Sequence, residues 1–164
     1  GLAGAKKICD PGKLAIHGHR NGWGMLNRHP LLGIEFPAYQ KIWRLAGVDQ
    51  IHVNGIANKF WESDDSVVKS IEACQKPLLG GMSVLSVVSS GQWGGQAPET
   101  YRRTQTVDLL YMAGGGIMAH PDGPAAGVRS LQKWWEAAVE GLTMEQAAEK
   151  YPKLKLSVEK FGRK

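Results

Sequence analysis

An apolar run that stops abruptly at glycine or polar residues, with a helix-like segment after it, occurs four times in this chain of 164 residues. The runs are 14–16, ending in His17-Gly18-His19-Arg20; 50–51, ending in His52-Val53-Asn54-Gly55; 84–88, ending in Ser89-Ser90-Gly91; and 109–113, ending in Gly114-Gly115-Gly116. Strands that alternate with helices form a parallel sheet, and such sheets place ligands at the carboxyl ends of their strands. The residues able to do chemistry concentrate at those ends. That favours an enzyme over a binding module.

The pattern between the runs predicts the rest. Residues 1–10 read as a helix end closed by the turn Asp10-Pro11-Gly12, and strands are expected near 13–17, 49–53, 84–88 and 108–112. Residues 21–37, rich in Gly, Asn and Pro, read as a long loop. Tyr39, Ile42, Trp43 and Ala46 then recur at helical spacing up to Gly47. Ser63-Asp64-Asp65 opens a helix with a hydroxyl cap and carboxylates facing the dipole; Val67, Val68, Ile71 and Cys74 form its stripe, and Lys76-Pro77 stops it. A short helix is expected over 97–104 and a longer one over 125–140, with Val128, Leu131, Trp135 and Ala138 on one face. Helical segments at 143–151 and 153–161 complete four βα units with extra helices at the end. An open doubly wound sheet and half of an eight-stranded barrel both fit this order.

Composition narrows the class. Hydrophobic residues at 43% and charged residues at 21% describe a soluble globular domain. No apolar run approaches the roughly 20 residues needed to cross a bilayer. No secretory leader stands at the front, and Cys9 and Cys74 match no metal spacing, so a cytoplasmic chain with reduced thiols is expected. The net charge of +5 comes largely from Arg102-Arg103 and the basic tail over 153–164. No basic stripe interleaved with aromatics marks a nucleic-acid surface. The charge fits a solvated helix face with some attraction for an anionic substrate.

Ser89-Ser90-Gly91 and Gly114-Gly115-Gly116 each follow a strand, and glycine lets backbone N–H groups approach a phosphate. Complete barrels often build a phosphate site from the loops after their last two strands, which favours the barrel reading. The same glycines also suit plain tight turns. His17 and His19 alternate along the first strand, so both imidazoles project to one side. No acidic partner lies nearby, which is weak ground for a metal, and Arg20 suits bidentate phosphate binding. His52 ends the second strand in the same manner. Any one of these histidines fits a structural role; together with Arg20 at equivalent strand ends they point to a site. Lys59 lies on a glycine-bearing loop that can close over an anion, although alone it reads as a surface lysine. His29 and His120, beside prolines, are weaker candidates. The six tryptophans read as core and loop packing.

With these residues in place the sequence resembles the large-subunit superfamily of ribulose-bisphosphate carboxylase, within it the carboxylase-like (type IV) branch. The segment from Leu14 to Arg20 resembles the family's strand with its His-x-His-Arg motif, and Leu45-Ala46-Gly47-Val48-Asp49-Gln50-Ile51-His52 its next strand. Lys59 stands where the family has its active-site loop lysine. Ser89-Ser90-Gly91 and Gly114-Gly115-Gly116, followed by His120-Pro121 and Gly123-Pro124, resemble its two phosphate loops. The resemblance implies the C-terminal half of a TIM (β/α)8 barrel spanning 1–164, the last four strands, with the amino-terminal domain and first half of the barrel absent. It further implies that Arg20, His52 and Ser89 contact one anionic end of the substrate and that His19 lies near the reacting carbons. Lys59 would then reach a carboxylate, and the backbone of Gly91, Gly114 and Gly115 would hold the other phosphate.

Departures from the carboxylase pattern argue against carbon fixation: Ser90 for a glycine, Trp23 for a histidine, and Asn54-Gly55 for an Ala-Gly-Thr-like stretch. The family's carbamylated lysine and acidic magnesium-binding pair have no counterpart here. Mg2+ is therefore expected as a cofactor with its ligands elsewhere, and the chain alone should not complete the active site. The implied partners are a phosphorylated small molecule and a complementary half-barrel or second copy, with no nucleic acid and no membrane. The leading expectation is decarboxylation of a phosphorylated keto sugar acid, of the 3-oxo-isoapionate-4-phosphate type, through a magnesium-stabilised enediolate. The alternatives are an enolase or isomerase of a phosphorylated ketose in methionine salvage, a non-catalytic half-barrel, and a flavodoxin-like phosphate-binding domain.

Overall fold

The computed structural model describes residues 1–162; Arg163 and Lys164, the end of the basic tail, lie outside the described residues. In chain order the elements are α1 (Leu2–Cys9), β1 (His17–Gly18), α2 (Gly24–Asn27), α3 (Phe36–Leu45), β2 (Gln50–Asn54), α4 (Asp64–Gln75) and β3 (Leu85–Ser89). A 3-10 turn (Gly94–Gln96) leads into α5 (Ala97–Thr104), β4 (Leu109–Tyr111), α6 (Gly114–Met118), α7 (Gly123–Val139) and α8 (Met144–Lys150). A second 3-10 turn (Pro152–Leu154) precedes α9 (Lys155–Phe161). The strands form one parallel four-stranded sheet in the order β1-β2-β3-β4, with His17 opposite Gln50 and Gly18 opposite Ile51. No helix among the described residues is long and apolar enough to cross a membrane.

The chain divides into two compact units. The first comprises Gly1–Asn54, Trp61–Val88 and Asp108–Leu110, and so holds most of the sheet. Ile51 and Val53 of β2 and Val87 and Val88 of β3 are buried, as expected of central parallel strands covered on both faces. β1 is shorter and later than the expected 13–17: Leu14 is 80% exposed, and the Ile16 N–H donates to the Asp49 carboxylate rather than to a ladder partner.

α4 follows its local signals closely. The Ser63 hydroxyl accepts from the Ser66 N–H at 3.3 Å, Asp64 and Asp65 face the dipole, and Val67, Ile71 and Cys74 are fully buried, with Val68 only half-buried. α3 packs on it through polar groups. Gln40, 1% exposed, donates to the Ser70 carbonyl and Cys74 Sγ, while Arg44 donates to the carbonyls of Ala73 in the last turn of α4 and of Lys76 and Met82 beyond it. This corrects the expected stripe. Phe36, Gln40 and Ala46 are buried and Ile42 is exposed, because a hydrogen-bonded glutamine occupies a core position. The expected loop over 21–37 contains α2 and the first residues of α3.

The second unit comprises Gly55–Phe60, Ser89–Val107 and the residues from Tyr111 on. Its core is Trp93, Ala97, Trp134, Ala137, Ala138, Ala147 and Leu154. Trp134 is fully buried, meets Trp93 edge-on at 5.9 Å, and donates from Nε1 to Ser157 Oγ at 3.0 Å. The buried face of α7 is therefore Gly127, Trp134, Ala137 and Ala138, and the expected Val128 points outward. Gly127 sits there because any Cβ would collide with the Ile117 backbone. Thr143 and Gln146 form a reciprocal capping box that starts α8.

Candidate functional site

Three histidines of the first unit converge. His17 on β1 and His52 on β2 face each other with Nε2 and Nδ1 3.4 Å apart, and the His19 ring lies 4.5 Å from that of His52. His17 and His19 therefore both reach His52, His17 from β1 and His19 from just beyond its end at Gly18. The Asn21 N–H donates to His19 Nδ1 at 3.1 Å, which fixes the proton of a neutral His19 on Nε2. Burial, followed by the charges of His19, His17 and Arg20, pushes the His52 pKa down from 6.5 to about 4. His52 is thus neutral at physiological pH.

Arg20 is buried at 4% exposure, with its guanidinium carbon 3.5 Å from the Trp23 ring centroid and 4.0 Å from that of Phe36. Its Nη2 lies 3.1 Å from Glu62 Oε2. Glu62 in turn accepts from Asn54 Nδ2 at 2.6 Å and from the Ser66 hydroxyl at 2.8 Å. Burial lowers the Arg20 pKa to about 10 against the opposing pull of Glu62, so the side chain stays charged at neutral pH. Its Nε, Nη1 and Nη2 have no well-aligned hydrogen-bond acceptor among the described residues, and Glu62 holds the group by charge. Arg20 stands in a recognisable motif, whereas no motif marks Glu62, whose role depends on the chain folding back eight residues after Asn54.

The second unit gathers Lys59 and the Ser89-Ser90-Gly91 loop. The Lys59 N–H donates to the Ser90 carbonyl at 3.1 Å, and the lysine stem lies 3.4 Å from where a Cβ on Gly91 would be. Ser89 is buried, and its hydroxyl lies 3.2 Å from that of Ser90. Ser90 has φ +75°, so it holds the left-handed backbone that a glycine would adopt freely, and Gly91 follows at φ +83°. Gly114, Gly115 and Gly116 form the first turn of α6 rather than a loop before the helix expected over 125–140. Their N–H groups lack partners within the helix, and Gly116 abuts Trp93 and the Gln92 carbonyl. His29 accepts from the Leu31 and Leu32 N–H groups, and His120 from that of Asp122, so each shapes its own loop.

Among the described residues no group of three His, Cys, Asp or Glu side chains is arranged to hold a metal. The clustered donors are imidazole nitrogens, whereas magnesium takes oxygen ligands in octahedral geometry. These residues do not fit magnesium.

The chain belongs to the family of the ribulose bisphosphate carboxylase large chain, catalytic domain, whose model matches residues 1–161. It is 51% identical, over 99% of its length, to a protein of Rhizobium etli named 3-oxo-isoapionate-4-phosphate decarboxylase, and spans 39% of that relative. It is 46% identical over 94% of its length to a 3-oxo-isoapionate-4-phosphate transcarboxylase/hydrolase of Xanthobacter autotrophicus, spanning 38% of it. The solved rubisco-like protein from Burkholderia fungorum superposes with a TM-score of 0.90 at 43% identity, over 97% of this chain and 40% of that one. The four βα units with their following helices are accordingly the C-terminal half of a (β/α)8 barrel.

Proposed function

We propose that the protein to which these residues belong is a rubisco-like lyase that decarboxylates a phosphorylated 3-oxo sugar acid. The observation that carries this reading is the 51% identity, across 99% of the chain, to the Rhizobium etli decarboxylase. Because the chain spans 39% of that relative, the complete activity draws on residues beyond those described. The first half of the barrel and an amino-terminal domain belong to this proposal, as does Mg2+ held by oxygen ligands outside this chain. A dimer in the cytoplasm is part of it too.

In decarboxylation the bond between the carboxylate and its neighbouring carbon breaks. Carbon dioxide leaves, the electron pair passes into an enolate on the adjacent ketone, and a proton then restores the keto product. In this reading the Lys59 ammonium pairs with the carboxylate and His19 lies near the reacting carbons. Arg20, His52 and Ser89 take one anionic end of the substrate, while the backbone of Gly91, Gly114 and Gly115 holds a phosphate. Three features support these assignments: the Nε and Nη1 donors of Arg20, which the Glu62 ion pair through Nη2 does not engage, the neutral ring of His52, and the glycines at 114 and 115, beside which no atom lies within 4 Å of a built Cβ.

The test supplies 3-oxo-isoapionate 4-phosphate to the complete protein with Mg2+ and follows carbon dioxide. Stoichiometric release supports the lyase. Isomerisation of a ketose phosphate with no carbon dioxide from the keto acid would establish the alternative instead.

A further inference from the structure

The segment Gly55–Phe60, which carries Lys59, is held by two glutamines four residues apart that no motif singles out. Gln92 Nε2 donates to the Ile56 carbonyl at 3.1 Å. Gln96 Nε2 donates to the same carbonyl at 2.8 Å and to that of Ala57 at 3.2 Å. The other end of each amide is also engaged, which fixes its orientation. Gln92 Oε1 accepts from the Tyr111 hydroxyl at 2.9 Å, and Gln96 Oε1 accepts from the Trp93 N–H at 2.9 Å. Gln92 is 3% exposed, so its hydrogen bonds are shielded from competing water.

Two backbone features match this clamp. Ala57 has φ +48°, a left-handed conformation that an alanine keeps only when its surroundings impose it. Gly55 leaves the space that Gln92 needs, because a Cβ there would overlap the glutamine amide. Two residues beyond Ala57, the Lys59 N–H reaches the Ser90 carbonyl and its stem lies over Gly91.

We propose that Gln92 and Gln96 are positioning residues for Lys59: by clamping the Ile56 and Ala57 carbonyls they hold the lysine-bearing segment in one arrangement against Ser90 and Gly91. The proposal rests on the reading of Lys59 as the catalytic lysine. Favouring this arrangement lowers the cost of ordering the ammonium for reaction.

The experiment uses the complete protein and the variants Gln96→Met and Gln96→Glu. The glutamate keeps the length and the acceptor for the Trp93 N–H but cannot donate to the loop carbonyls. Amide hydrogen exchange over residues 55–60 is compared with α8 as an internal reference, alongside kcat and KM for decarboxylation. Loss of the clamp is expected to speed exchange over 57–60 by about tenfold. It should lower kcat roughly tenfold to a hundredfold with KM little changed, and leave exchange in α8 as it was. If the methionine variant fails to fold, the glutamate variant and Gly55→Ala, which displaces Gln92, give the same readouts. Unchanged exchange over 57–60 overturns the proposal, as does faster exchange with wild-type kcat. Wild-type turnover from Lys59→Ala instead overturns the reading beneath it, so the two failures are told apart.

Discussion

The Arg20 guanidinium and the Glu62 carboxylate form an ion pair at 3.1 Å, with side chains only 4% and 1% exposed, beneath the rings of Trp23 and Phe36. Removing one member of a buried pair strands the other charge in a poor solvent, which typically costs about 3–5 kcal/mol. Glu62→Ala also removes the acceptor of Asn54 and Ser66. It is expected to destabilise the protein by about that amount, read by urea unfolding at neutral pH. A loss below about 0.5 kcal/mol would show that the pair is not structurally coupled.

His52 gives the protein a pH dependence of known sign. Its pKa falls from 6.5 to about 4 on folding. Between those values the unfolded chain binds more protons than the folded one, so stability falls as pH drops through that window and is fully retained above it. His52→Gln should flatten this part of the stability profile. An identical acid-side slope in the variant would exclude His52 as its source.

Gly91 is required by its φ of +83°, and a Cβ there would lie in contact with the Lys59 stem at 3.4 Å. Gly91→Ala should destabilise by about 1–2 kcal/mol and lower kcat further than that loss of stability explains. The pair of measurements is chemical unfolding and turnover on one preparation. Wild-type values for both would remove Gly91 from the site.

Much of this was legible in the sequence. The cap Ser63, the stop Lys76-Pro77 and the buried Val67, Ile71 and Cys74 placed α4 correctly, since each signal acts within a turn or two of chain. The reading failed where tertiary contacts overrode local pattern. A hydrophobic stripe put Val128 in the core, while Gly127 is buried where the Ile117 backbone approaches and Ala137 belongs to the core cluster of Trp93 and Trp134. Strand alternation alone does not account for the meeting of His17, His19 and His52, because β1 ends at Gly18 and His19 lies just beyond it. Nor does it reveal the partners that set the surroundings of the candidate residues: Glu62, Gln92, Gln96 and Tyr111 act through folds of the chain that no spacing announces.

The central claim is that Lys59 serves the chemistry and not the packing. The decisive measurement is turnover and unfolding free energy on the same Lys59→Ala full-length protein, with Lys59→Arg beside it. In Lys59→Ala kcat is expected to fall by about a hundredfold or more, with stability changed by less than about 0.5 kcal/mol. Lys59→Arg should rescue it poorly, because the guanidinium fork carries its charge elsewhere than an ammonium does. Wild-type decarboxylation by a folded Lys59→Ala protein would contradict the account and reduce this lysine to a surface charge.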